Sequence, residues 1–239
     1  MKLCRGFLFH TPSLGYQKKD LNQADPSNRQ VIGLLSRMVT NAIFLSHNLR
    51  ENVLVRIFVE SSNSYLVQFS TDSIRYLAPQ ERSLGFLLLK AQETIEQKLV
   101  YAPPAFQNKL TEITPGFFLR LSTDPFVATD EFFGSDNSCI SFLSQSLLNN
   151  QNNQEYDTLS SISDLEDLLV DEKIHLLKKI FYLPLSLNTM GKLNYLPLEK
   201  KDLFTNQFLF YPENWSQEQI VMLLNLILDD IQEKNKESY

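Results

Sequence analysis

The segment from Val39 to Val53 brings together the residue types best suited to bind a polar ligand. An apolar helical pattern runs into Ser46-His47-Asn48-Leu49-Arg50, and a strand-like run begins at Val53. Imidazole, amide and guanidinium groups at a helix end that leads into a strand could together hold a polar ligand. The same pattern is typical of an ordinary helix-to-strand turn with solvated polar residues, and spacing alone favours this second interpretation.

Composition limits the classes of protein that the chain can belong to. The 239 residues are 43% hydrophobic and 11% aromatic, which is enough for a substantial core. Two cysteines are too few for a disulfide framework. No apolar run approaches the roughly 20 residues that are needed to cross a bilayer. We therefore expect a globular, cytoplasmic protein that makes no membrane contact.

Charge is distributed unevenly between the two halves of the chain. Residues 1–120 contain 14 Lys and Arg against 9 Asp and Glu, whereas residues 121–239 contain 8 against 19. The balances are therefore +5 and −11, so a phosphate-rich partner would be expected to meet the first half. A surplus of five positive charges is also unremarkable over 120 residues, and both interpretations stay open.

Apolar spacing predicts an alternation of strands and helices. In the first half we expect strands at 3–10, 53–60, 65–71 and 117–121, and helices at 30–47 and 79–98. In the second half we expect strands at 139–144, 180–185 and 207–211, and helices at 124–134, 163–178 and 216–234. Ser216 should cap the last helix, and the Asn- and Gln-rich tract near 149–158 should be a surface loop. This alternation predicts an α/β sheet covered by helices on both faces.

Several common catalytic devices are absent from the sequence. There is no G-x-G-x-x-G or P-loop pattern, no zinc-like spacing of Cys and His, and no G-x-S-x-G elbow. The acidic pairs at 166–167 and 171–172 are better explained as a solvated helix face than as a cation site. We therefore expect no metal, and the residue patterns alone lead only as far as an α/β domain.

Three motifs in the first half are more specific. Arg37 is followed by Asn41-Ala42-Ile43-Phe44-Leu45-Ser46-His47-Asn48-Leu49-Arg50, then come Ala78-Pro79-Gln80-Glu81-Arg82-Ser83, and Thr114-Pro115-Gly116 precedes a strand that ends at Arg120. In type, order and spacing, residues 3–121 resemble the SPOUT-class methyltransferases that N1-methylate pseudouridine 54 of tRNA, together with their uncharacterised bacterial relatives.

The resemblance implies one domain over residues 1–239, with an N-terminal α/β part at 1–121 and a C-terminal part at 122–239. In that family the C-terminal part is tied into a trefoil knot, an exception to the rule that chains are unknotted. The knot binds S-adenosylmethionine, and the active site forms across a homodimer. By resemblance, the residues expected to contact the cofactor are Leu143, Leu183, Pro184, Gly191, Tyr211, Pro212, Ser216 and Ile220.

This chain departs from the family pattern at three places. Gly33 stands where the family has an Asp early in the first helix. Pro184-Leu185-Ser186 replaces a polar turn such as Gly-Asp-His after the strand that enters the knot, and Ile220 replaces a Cys near the start of the final helix.

The resemblance also implies roles for polar residues of the first half, with tRNA or another structured RNA as the partner. Arg37 and Asn41 are expected at the catalytic centre, where the Asn41 amide would orient the uracil edge. Arg50, Arg82 and His47 are expected to contact the substrate, the arginines through phosphates. For each arginine the alternative is an exposed ion-pair partner, and for His47 it is a packing or helix-end role.

Three hypotheses on function follow. The first is an S-adenosylmethionine-dependent RNA methyltransferase that N1-methylates pseudouridine in tRNA. The second is a catalytically silent homologue that acts as an RNA- or protein-binding dimer, and the third is a methyltransferase that acts on another RNA nucleotide. The apolar stripe of the last helix, together with the resemblance, predicts a homodimer.

Overall fold

In the part of the chain that the structure describes, nine strands form one mixed sheet, and three α-helices pack against one of its faces. The computed structural model describes residues 5–14, 17–22, 30–46, 48–99, 101, 109–123, 138–144, 157–158, 161, 163, 179–185, 205–212 and 214–237. The helices are α1 (Gln30–Ile43), α2 (Glu81–Thr94) and α3 (Gln217–Glu237), and a π-helical turn, Ile95–Leu99, extends α2.

The strands of the first half are β1 (Arg5–Thr11), β4 (Val53–Val59), β5 (Tyr65–Ser70), β6 (Thr111–Thr114) and β7 (Phe117–Leu121). Those of the second half are β8 (Ser138–Ser144), β9 (Asp157–Thr158), β10 (Lys179–Pro184) and β11 (Thr205–Tyr211). A separate two-stranded ribbon consists of β2 (Phe44–Leu45) and β3 (Asn48–Leu49).

The order of strands across the sheet is β6-β7-β5-β4-β1-β10-β8-β11-β9. The run from β4 through β9 is parallel, whereas β5 is antiparallel to both β4 and β7. The carboxyl ends of β4, β1, β10, β8 and β11 therefore meet at one edge. In open α/β sheets this is the edge at which ligands bind.

The first face of the sheet carries the main apolar core. Phe7 and Phe9 of β1 alternate with residues of the other face, and the Phe7 ring lies 5.5 Å from that of Phe181 on β10. Helices α1, α2 and α3 cover these side chains. Burying each such side chain stabilises the fold by about 1.5–3 kcal/mol. The first and last described helices also pack against each other, which joins the two halves of the chain.

The second face is buried as well, although it carries polar groups. Arg56 Nε donates to Gln68 Oε1 at 2.9 Å, and His10 Nδ1 lies 2.7 Å from the Tyr182 hydroxyl. All four side chains are buried. The described helices pack on the first face, so coverage of the second face by helices stays a prediction.

One predicted boundary was wrong. We expected the first helix to reach His47, but α1 ends at Ile43, and the chain turns back through Ser46, whose φ is +56°. The β2–β3 ribbon fills the interval, and the Arg50 amide donates to the Ile43 carbonyl at 2.8 Å. Helical periodicity continues past the end of α1, but a left-handed residue cannot continue the helix.

The other described elements confirm the predicted strands and helices to within a few residues, and β6 was not predicted. Its turn into β7 contains Gly116 with φ +76°, and a Cβ at that position would overlap the backbone of Ile74. Only glycine fits there without strain. Several predictions lie outside the described residues: the helix at 124–134, most of the helix at 163–178, the loop at 149–158 apart from the two residues of β9, and Gly191.

Candidate active site at the first turn of the last helix

Three helices bring their first or second turns together around Arg37. Its Nε donates to Glu218 Oε2 in the first turn of α3 at 2.8 Å. A Cβ at Gly33, one turn earlier on α1, would lie 3.5 Å from Arg37 Nη1 and 3.6 Å from Glu81 Oε2 in the first turn of α2. Carboxylates in first helical turns complement the positive end of the helix dipole. The Arg37 side chain stays 59% exposed, so part of the guanidinium faces solvent.

Asn41 lies one turn further along α1 and also contacts α3. Its Nδ2 donates to the Glu218 carbonyl at 3.2 Å, and its own carbonyl accepts from Asn225 Nδ2 at 2.9 Å. The two residues predicted at the catalytic centre, Arg37 and Asn41, are therefore both fixed by the last helix. Their catalytic roles stay predictions.

Arg50 sits where α1 ends and is nearly buried. Its Nη1 donates to two backbone carbonyls, that of Phe44 and, at 2.8 Å, that of Asn41. Its Nε lies 3.1 Å from Asp229 Oδ2. An arginine that bonds the last carbonyls of a helix stabilises that helix end. These contacts engage Arg50 within the fold, and its expected contact with RNA phosphates stays a prediction.

A buried polar network that the sequence analysis did not identify connects β1 to α3. Arg5 Nη1 lies 2.6 Å from Asp229 Oδ1 and donates to Asn225 Oδ1 at 2.9 Å. Burial lowers the pKa of Arg5 below its ordinary value, although the adjacent Asp229 opposes the shift. The only signal in the sequence was the presence of Asn225 and Asp229 beside the apolar stripe of α3.

The two other predicted substrate contacts are Arg82 and His47. Arg82 is exposed on α2, and its guanidinium carbon lies 5.5 Å from the centroid of the Phe86 ring. This distance is typical of a cation–π pair. His47 lies outside the described residues.

Three adjacent parallel strands carry four of the eight residues expected to contact the cofactor. The ladder of β8 with β11 pairs Leu143 with Phe210 and Ser144 with Tyr211, while β10 flanks β8 on its other side and ends at Pro184. Leu143, Pro184 and Tyr211 therefore lie at the same carboxyl edge. Beyond Pro184, the Leu185 amide donates to the His10 carbonyl at 2.7 Å.

The residues expected to contact the cofactor differ in burial, and their roles stay predictions. Leu183 and Ile220 are buried and apolar, and Pro212 and Ser216 are partly exposed. Small-molecule sites combine apolar walls with a few polar groups. Burial raises the pKa of the neighbouring Tyr211 to about 12, so its phenol stays neutral near pH 7.

The first turn of α3 has a reciprocal cap. The Gln219 amide donates to Ser216 Oγ at 3.3 Å, and the Ser216 amide donates to Gln219 Oε1 at 2.7 Å. This capping box satisfies donors that would otherwise lack partners, and it confirms Ser216 as the predicted cap. It also fixes the position of Glu218, and through it that of Arg37.

Two clefts lie at opposite ends of β1. A polar cleft of about 620 Å³ lies beyond the carboxyl ends of β1 and β4, with Ser13, Lys19, Asn63 and Gln92 among its lining residues. A shallow cleft of about 180 Å³ is lined by Arg5, Leu45, Leu49, Arg50, Glu51, Asp229 and Glu233.

The described part of the chain contains no cluster of His, Cys, Asp and Glu able to hold a metal ion. Among the same residues, no helix combines the length and apolarity that crossing a membrane requires.

The fold and the cluster define an α/β protein with its candidate site at the carboxyl edge of the sheet, and comparisons indicate its relatives. Residues 5–122, about half of the chain, match a family model described as "Putative SAM-dependent RNA methyltransferase". The resemblance predicted from the sequence is therefore confirmed over this part.

Three archaeal proteins named tRNA (pseudouridine(54)-N(1))-methyltransferase are similar to the chain. The one from Haloferax volcanii is 35% identical over 89 residues, which cover 37% of this chain and 40% of the relative. The one from Methanococcoides burtonii is 33% identical over 98 residues, which cover 40% of this chain and 43% of the relative. The one from Haloarcula marismortui is 36% identical over 88 residues, which cover 37% of this chain and 40% of the relative. The matched segment thus spans about two fifths of each of these relatives.

Proposed function

We propose that this chain is an S-adenosylmethionine-dependent RNA methyltransferase that N1-methylates pseudouridine in tRNA. The observation that carries the proposal is the match of residues 5–122 to the family model, since that segment contains Arg37 and Asn41. These two residues are held by the first turn of α3, the helix that follows strand β11.

The chain's own residues would position the reactants. S-adenosylmethionine, when bound, supplies an electrophilic methyl group on a sulfonium, and the residues proposed to hold it are those expected at the carboxyl edge of β8, β10 and β11. Arg37 would donate from its exposed N–H groups to a carbonyl of the target base. Holding two reactants in line can lower a barrier by about 7–11 kcal/mol, so positioning is the main contribution asked of the protein.

Calorimetry with S-adenosylmethionine tests the cofactor first. We expect heat of binding, and a rise in melting temperature with ligand concentration. Methyl transfer is then measured on tRNA transcripts with and without pseudouridine at position 54. Transfer that requires pseudouridine supports the proposal, whereas equal transfer to both transcripts would indicate that another nucleotide is modified.

The second candidate function is a silent homologue that binds RNA or protein without a cofactor. The engagement of Arg50 with Asp229 and backbone carbonyls favours it, because that side chain is occupied within the fold. RNA binding with neither heat nor thermal stabilisation from S-adenosylmethionine would support this candidate and contradict the enzyme.

The proposal includes a trefoil knot in the C-terminal part and a location in the cytoplasm. The parallel placement of β8 between β10 and β11 is compatible with the knot. A crystal structure with bound S-adenosylmethionine would test the knot, and an unthreaded chain path would contradict it. Fractionation of cells into soluble and membrane pools would test the location.

A homodimer also belongs to the proposal, but not through the surface predicted from the sequence. Ile220, Leu224 and Ile227 of the expected stripe are buried in the chain's own core. Met222 and Leu226, one turn apart on α3, are 44% and 53% exposed instead. We expect Leu226→Glu to shift the mass measured by light scattering from dimer to monomer, whereas Glu233→Gln on the same helix should not.

A further inference from the structure

The polar cleft at the carboxyl ends of β1 and β4 has no part in the proposed reaction. Its volume of about 620 Å³ lies within the range of about 300–1,000 Å³ that is usual for ligand sites. Most of its described lining carries hydroxyl or amide groups: Ser13, Gln17, Ser61, Ser62, Asn63, Tyr65 and Gln92. Three further lining residues, Lys19, Asp20 and Glu96, are charged. Such a cleft suits a ligand whose inserted part is uncharged and forms hydrogen bonds.

Tyr65 supplies the cleft with a hydroxyl group to which no described residue hydrogen-bonds. The residue is only 4% exposed, because its ring belongs to the main core. A tyrosine hydroxyl in such surroundings usually has a hydrogen-bond partner. Burial, and the charge of Glu96 nearby, raise the pKa of Tyr65 above its ordinary value, so the hydroxyl keeps its proton near pH 7. A ligand in the cleft would therefore provide the acceptor that this hydroxyl lacks.

Glu96 places an acceptor in the same cleft. Its Oε1 accepts from Gln92 Nε2 at 3.1 Å, and among the described residues nothing donates to its Oε2. The carboxylate belongs to the π-helical turn after α2, a kind of turn that is frequent at functional sites. Asp20 is engaged instead, since its Oδ2 accepts from the Gln17 amide at 2.6 Å. The cleft thus combines a donor and an acceptor, as recognition of a nucleobase edge requires.

The position of the cleft suits a ligand that is part of a nucleic acid strand. Lys19 in the lining and its neighbour Lys18 are exposed, and both lie in the half of the chain with a surplus of positive charge. Strand β1 pairs with β10, whose last residue, Pro184, is expected at the cofactor site. Because neighbouring strands are about 4.8 Å apart, the cleft opens close to that site on the same edge of the sheet.

We infer that the cleft binds an unpaired nucleotide that flanks the modified one in the RNA substrate, an inference that rests on the proposed function. The target base itself is expected at Arg37 and Asn41, neither of which lines the cleft. The flanking base enters the cleft, where Tyr65 donates to its carbonyl or ring nitrogen. Glu96 accepts from a base N–H or from the ribose 2′-hydroxyl, while the phosphates stay outside, near Lys19. Unstacked bases of RNA loops are commonly recognised through these groups.

Tyr65→Phe is the decisive variant, because it removes the hydroxyl and keeps the buried ring. We expect the calorimetric dissociation constant for unmodified tRNA to rise about three- to tenfold, the usual contribution of one hydrogen bond. The dependence of this constant on salt concentration should not change, since no phosphate contact is lost. Tyr76→Phe, at a tyrosine that is 66% exposed and outside the described lining, is the matched control and should bind as the wild type.

Lys19→Gln separates phosphate contact from base contact. We expect it to weaken tRNA binding and to lower the slope of log Kd against log salt concentration by about one. Lys90→Gln, at an exposed position of α2 outside the described lining, should leave both the affinity and the slope unchanged. An unchanged slope for Lys19→Gln would overturn the placement of the phosphates near Lys19.

Abasic RNA tests the contact from the side of the ligand. Single nucleotides on either side of the target are replaced in turn by abasic ones, and each RNA is titrated into the wild type and Tyr65→Phe. At one flanking position the abasic RNA should bind the wild type more weakly, and Tyr65→Phe should weaken its binding no further, because both changes remove the same contact. Independent, additive losses at every position would overturn the inference.

The outcomes separate this inference from the proposed function. If the wild type transfers methyl groups and Tyr65→Phe binds tRNA as the wild type does, the inference is refuted and the function stands. If free nucleoside monophosphates bind as tightly as tRNA, and Tyr65→Phe weakens their binding, the cleft serves a small ligand and the inference is refuted. If the variants lose tRNA affinity as expected but the wild type neither binds S-adenosylmethionine nor modifies RNA, the proposed function is refuted and RNA binding by the cleft stands.

Discussion

Asp229 is the residue whose loss should most disturb the joint between the two ends of the chain. It lies 2.6 Å from Arg5 and 3.1 Å from Arg50, and Arg5 is only 3% exposed. Asp229→Asn keeps the shape of the side chain but removes its charge. Arg5 then keeps its hydrogen bond to the neutral side chain of Asn225 but loses the negative charge of Asp229.

The magnitude follows from burial. Removing one partner of a buried ion pair costs about 3–5 kcal/mol, because the other charge is left uncompensated. Asp229 is 23% exposed, and Asn can still accept one hydrogen bond, so we take the lower end, about 3 kcal/mol. That corresponds to a fall of about 6–12 °C in melting temperature for a chain of this size.

Urea denaturation followed by circular dichroism measures the loss. Glu233→Gln, one turn further along α3 and exposed, is the control and should change the free energy of unfolding by less than about 0.5 kcal/mol. Arg5→Gln with Asp229→Asn should lose less than the two single variants together, since both remove the same pair. A loss below about 1 kcal/mol for Asp229→Asn would show that the pair contributes little and refute the reasoning.

Further predictions concern four single positions. Gly116→Ala should destabilise the fold by about 3 kcal/mol in thermal or urea melts, because φ is +76° and the added Cβ would overlap the backbone of Ile74. By contrast, Gly33→Ala lies within a helix and should stabilise the fold by about 0.5–1 kcal/mol. Ser216→Ala should cost about 1 kcal/mol in the same melts, and Ser216→Asp should restore most of it. The raised pKa of Tyr211 contributes stability that is complete below pH 10 and is lost as pH rises towards about 12. In the wild type, this loss should lower the free energy of unfolding by about 1.4 kcal/mol between pH 9 and pH 11. Tyr211→Phe should remove this part of the pH dependence, and a variant that keeps it in full would contradict the assignment.

The sequence predicted the elements whose signals are local. Apolar runs bounded by polar turns located β1, β4 and β5, and the Ser216–Gln219 spacing predicted the cap of α3. The β2–β3 ribbon was missed, because the left-handed backbone of Ser46 leaves no mark on hydrophobic periodicity.

The candidate site was predictable only in part. Arg37 and Asn41 could be selected from their motif, but their partner Glu218 lies 181 and 177 residues away in sequence. The Arg5–Asn225 contact spans 220 residues and has no local signature. The stripe on α3 was identified, yet hydrophobic spacing cannot tell whether a helix face packs on its own chain or on a second copy.

The contacts of α3 have a consequence for biosynthesis. Strand β1 and helix α1 leave the ribosome long before residues 217–237 are made, so Arg5 and the end of α1 must wait for their partners. Contacts this distant along a chain slow folding and leave unfinished surfaces exposed to aggregation. A nascent chain halted near residue 200 should therefore be recognised by chaperones, and translation of the last helix should release it.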